Sequence, residues 1–123
     1  MLVPQVDEDG NEIAGIRLPG LAAPLGTYTG WALLKPGMGG PDICGQIGQF
    51  IPFATSRSER IAAGDLRPSL EERYPDQGAY IGRIDRACEQ LVQDGFLLDE
   101  DRERIVVAAA EKAMAATTRI AAR

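Results

Sequence analysis

At 123 residues the chain holds one domain at most, with room for a modest core. Its 45% hydrophobic and 25% charged content is that of a soluble globular protein, but aromatics at 6% leave that core thin in large side chains. A net charge of −5 with no lysine/arginine cluster excludes a reader of nucleic-acid phosphates, and the complete lack of histidine removes the usual general base.

Met1-Leu2-Val3-Pro4 is too short for a signal peptide or a membrane span and runs into acidic residues. No membrane partner and a cytoplasmic location are therefore expected. The stretch from Gln5 to Ile13 centres on Asp9-Gly10, a hairpin signal. Its return strand is expected from Glu12 to Leu18, ended by Pro19-Gly20. A lone hairpin is marginal in water and needs a surface to pack on. Asp7, Asp9 and Asn11 also match the alternating oxygens that open a calcium loop. The glutamate required at the twelfth position is Leu18 instead, so no metal is expected.

Ten of the fourteen glycines and six of the eight prolines fall within residues 1–54. Such a stretch cannot be helical throughout. Gly26-Thr27-Tyr28-Thr29-Gly30-Trp31 sits in its middle, dense in turn residues and isolated aromatics. Segments of this kind wrap another surface rather than build their own core. Tyr28, Trp31, Phe50 and Phe53 are the candidate pocket or interface residues.

From residue 55 the pattern becomes helical. Ser56-Arg57-Ser58-Glu59 is a capping box that opens a helix from Arg57 to Ala63, with Gly64 past its end. Ser69-Leu70-Glu71-Glu72 is a second capping box on a helix stopped by Pro75. Asp76 caps a longer helix to about Asp94, closed by Gly95. Tyr80, Ile84, Ala87, Cys88, Leu91 and Val92 recur on it at helical spacing and form one apolar stripe. Asp99 caps the last helix, whose buried side is Ile105, Val106, Ala109, Ala113, Met114, Thr117 and Ile120. The short Gly95-Phe96-Leu97-Leu98 linker makes these two helices an antiparallel hairpin. The fold class is mainly α: an irregular Gly/Pro-rich arm with a β-hairpin over residues 1–54, and short capped helices plus a C-terminal antiparallel helix pair over 55–123. The arginines between Arg57 and Arg86 alternate with acids and read as a solvated face.

No reaction can be read from these residues. Cys44 and Cys88 are expected reduced, Cys88 in the core and Cys44 in a glycine-rich loop. A nucleophilic thiol would lack an imidazole beside it. Ser56, Ser58 and Ser69 are helix caps rather than nucleophiles. Glu71 and Glu72 are adjacent on a helix and point apart, which argues against a paired-carboxylate hydrolase. No catalytic, cofactor-binding or metal-ligating residue is assigned.

Several runs carry a resemblance. They are Val6-Asp7-Glu8-Asp9-Gly10-Asn11-Glu12-Ile13, Arg17-Leu18-Pro19, Tyr28-Thr29-Gly30-Trp31, Ile51-Pro52-Phe53-Ala54, Arg67-Pro68-Ser69-Leu70-Glu71-Glu72-Arg73-Tyr74 and Gly95-Phe96-Leu97-Leu98. In this order and spacing they resemble the C-terminal region of bacterial alpha/beta hydrolase domain-containing proteins. The resemblance implies an upstream core that holds the serine nucleophile and histidine base. None of those catalytic positions matches a residue here. The expectation is a single accessory-type domain, 1–123, with no catalytic activity of its own. It would pack on a hydrolase core and help line a substrate pocket. The alternative is a freestanding homo-oligomeric module of unknown ligand, most simply a dimer, because Ile16, Leu18, Tyr28, Trp31, Phe50, Ile51 and Phe53 lack a regular layer to cover them.

Overall fold

The computed structural model describes residues 4–33, 43–44 and 47–121, and side chains within these except those of residues 33, 43–44 and 114–121. The described residues are mainly helical. The elements in order are α1 (Pro19–Ala22), β1 (Gly26–Thr29), β2 (Ala32–Leu33), β3 (Ile43–Cys44), β4 (Gln49–Pro52), α2 (Arg57–Ala62), α3 (Leu70–Arg73), α4 (Gln77–Gln93) and α5 (Asp99–Ala121).

The core lies where α4 meets α5. Tyr80, Ile84 and Cys88 of α4 pack with Ala109 and Ala113 of α5, joined by Tyr74 and by Ala23 from the first half. Small alanines on α5 let the two backbones come close. Asp76 caps α4 through Oδ1, which accepts from Ala79 N at 2.8 Å. Gly95, at φ 79°, takes the left-handed turn after α4 that only glycine adopts cheaply. The last helix starts at Asp99 itself, so Asp99 lies in its first turn instead of capping it. Leu98 O accepts the first backbone bonds, from Asp101 N at 3.1 Å and Arg102 N at 3.2 Å. Met114, Thr117 and Ile120 have side chains outside the described residues. Cys88 is a free, fully buried thiol. The backbone of Cys44 is in β3, and its side chain lies outside the described residues.

The first half differs from its sequence reading in two places. The Asp9-Gly10 turn forms, and among the described residues it closes a single antiparallel bridge, Val6 with Glu12. The return strand expected up to Leu18 does not form. Gly15 at φ 85° breaks the extended run, and Pro19 starts α1 as its first residue, a place where its missing N–H costs nothing. The true hairpin lies later in the chain. β1 pairs antiparallel with β4, Tyr28 opposite Phe50, and β2 with β3 farther in along the same two segments. Gly26 makes this pairing possible. A Cβ there would sit 2.5 Å from Ile51 O and 2.6 Å from a Phe50 ring carbon. The first half is also less detached than expected. Ala23 and Phe53 are buried, and α1 packs on α4.

No helix among the described residues is long and apolar enough to cross a membrane.

Candidate functional site

Tyr28 and Phe50 face each other across the β1–β4 pair, with ring centroids 4.8 Å apart. They are 38% and 49% exposed, so the pair forms an open aromatic face. Thr27, one residue along, points to the other face and is buried. Trp31 is half-buried just beyond β1, where its carbonyl accepts from Thr29 Oγ1 at 2.5 Å.

The edges of this hairpin are occupied. The buried Asn11 side chain lies along β1: its Nδ2 donates to Gly26 O at 3.3 Å, and its Oδ1 accepts from Tyr28 N at 2.7 Å. One amide therefore stands in for a neighbouring strand. On β4, Pro52 has no N–H to offer, and its carbonyl accepts from Arg67 Nη2 at 3.4 Å. The outer edge of β1 is thus taken by Asn11, while the aromatic face stays open.

Phe53 sits elsewhere. It is 4% exposed and covered by two guanidinium groups, Arg73 at 4.0 Å and Arg67 at 5.2 Å from its ring centroid. Arg67 also donates to Thr27 Oγ1 at 2.8 Å and Ile51 O at 3.1 Å, and it pairs with Asp65. Arg73 pairs through both terminal nitrogens with Asp9 and donates through Nε to Pro68 O at 2.9 Å. The structure thus brings Tyr28 and Phe50 together, leaves Trp31 half-buried just past β1 and commits Phe53 to a clamp.

The clamp was missed by sequence reading, which placed these arginines on a solvated face. The Arg67 and Arg73 side chains are only 19% and 14% exposed. Arg57, at 70%, does fit that earlier reading. The oxygens that resemble a calcium loop are spent on separate partners. Asp7 accepts from Asp9 N and Asn11 N and pairs with Arg17, Asp9 binds Arg73, and Asn11 lies on β1. Glu71 and Glu72 likewise diverge. Glu71 accepts from Arg57 N at 3.1 Å, and Glu72 serves the Ser69 cap and Arg60.

These partners set the charge states. The Arg67 side chain holds the Asp65 carboxyl down at about 2. Hydrogen bonds from the Ser69 backbone and hydroxyl, helped by Arg60, hold Glu72 at about 2. Burial pushes the Tyr74 hydroxyl up to about 12. Both depressed carboxyls add stability above their ordinary values of 3.8 and 4.5, and that stability is lost as pH falls toward 2. The raised Tyr74 adds stability fully below its ordinary 10.0, and it is lost as pH rises through about 12. With no histidine, the melting temperature should hold a plateau from about pH 5 to 9 and fall on both sides. Melts across the pH range check this. A step centred near pH 6.5 would contradict it.

A family model described as an alpha/beta hydrolase domain matches residues 2–107. No curated protein and no solved structure matches the chain.

Proposed function

We propose that this chain, which belongs to the alpha/beta hydrolase domain family, is a non-catalytic accessory region that packs on a hydrolase core and helps to line its pocket. The observation that carries this reading is the exposed Tyr28–Phe50 pair on a hairpin that is held firmly from behind. A tilted aromatic pair left open on a clamped element suits a contact surface. The chemistry supports the same division of labour. Ester hydrolysis by a serine–histidine pair needs an imidazole base, and this chain supplies none. Ser56 and Ser69 are both spent as caps, accepting from Glu59 N and Glu72 N. A bacterial, cytoplasmic setting accompanies this reading.

A second reading uses the same face for a second copy of the chain, related by twofold symmetry. It is favoured by a further exposed apolar residue next to the hairpin, Ile47. Mixing the chain with a family core that carries the serine and histidine separates the two. The accessory reading expects a complex with that core and no ester turnover by the chain alone. A self-dimer indifferent to the core favours the second reading.

A further inference from the structure

An open, largely apolar cleft of about 620 Å³ lies between α3 and the start of α4. That size falls within the range of small-molecule sites, about 300–1,000 Å³. Leu25, Leu70, Tyr74, Pro75, Tyr80 and Ala113 form its apolar wall.

Most of the polar groups at its rim are already engaged. Ser56 Oγ accepts from Glu59 N at 3.2 Å, Glu71 Oε2 from Arg57 N at 3.1 Å and Asp76 Oδ1 from Ala79 N at 2.8 Å. Tyr74 Oη donates to Pro24 O at 2.9 Å. Tyr80 differs. It is only 6% exposed, with its ring set edge-on to Tyr74 at 5.2 Å, yet its hydroxyl makes no hydrogen bond with the described residues. No side-chain nitrogen or oxygen among those residues is both fully buried and unpartnered. The Tyr80 hydroxyl therefore keeps an accessible patch on a side chain that lines the cleft.

We infer that the cleft binds a neutral, mostly apolar small molecule with one carbonyl or ether oxygen, and that Tyr80 Oη donates a hydrogen bond to that oxygen. The wall rewards apolar surface, and the unspent Tyr80 donor fixes orientation. Glu71 and Asp76 at the rim oppose an anion. Both are already set against helix N-termini, so neither waits for a cation. The site does not rest on the docking role of the Tyr28–Phe50 face.

The test is an amide NMR titration of the isotopically labelled full chain with three probes of similar shape: benzylacetone, butylbenzene and phenylbutyrate. Benzylacetone should give saturable shifts at Leu70, Tyr74 and Tyr80. Phenylbutyrate should bind roughly tenfold more weakly, repelled by the two carboxylates. Tyr80→Phe should weaken benzylacetone about fivefold, the effect of one neutral hydrogen bond, and leave butylbenzene unchanged. Absence of saturable shifts at these residues in the folded chain would overturn the inference. So would a Tyr80→Phe variant that weakens both neutral probes equally, or neither.

Discussion

Arg73→Met is expected to destabilise the chain by about 2–3 kcal/mol, because it leaves a largely buried Asp9 carboxylate without its partner. The two side chains are 14% and 15% exposed, so the charge left behind is poorly solvated. The figure sits below the cost for a fully buried pair because some water still reaches both groups. The substitution also uncovers the Phe53 ring and removes the bond to Pro68 O. Asp9→Ala should cost a similar amount, and the double variant less than the two singles added together, since neither charge is then stranded. Urea denaturation of the four proteins gives the cycle. Singles that each lose under about 0.5 kcal/mol would show the pair to be an ordinary surface contact.

Ile84→Ala should cost roughly 2–5 kcal/mol, the range for deleting a buried branched side chain. Ile84 is 2% exposed and lies inside the cluster that joins α4, α5, Ala23 and Tyr74. The alanines facing it have no side chain to move into the space, so the cavity should stay open. Glu89→Ala, on the exposed face of the same helix, should change stability by less than about 0.5 kcal/mol. Equal shifts in melting temperature for the two variants would contradict the placement of the stripe.

The helical half was legible because its signals are local. Ser56 and Ser69 each form the full capping box that the sequence spells out, and Asp76 caps α4. Gly64 and Gly95 take positive φ where the helices end. The stripe of Tyr80, Ile84, Cys88 and Leu91 is buried as its spacing indicates. The first half depends on distant partners. Glycine and proline around β1 and β4 announce turns, and only the pairing of residues 26–29 with 49–52 makes strands of them. Arg67 reaches Thr27 across 40 positions, and Arg73 reaches Asp9 across 64. A charge pattern read along the chain cannot show that such groups are clamped against Phe53. The Arg67-to-Tyr74 run that carries the family resemblance turns out to hold both clamp arginines, the Ser69 cap and one wall of the cleft.

The most direct measurement is sedimentation velocity of the chain, alone and with a family hydrolase core that carries the serine and histidine but lacks this region. The two should sediment as one complex. A Tyr28→Ser/Phe50→Ser variant should stay folded and fail to join it, because it removes only the open face of the hairpin. Independent sedimentation of chain and core, or a double variant that binds as well as the parent, would contradict the account.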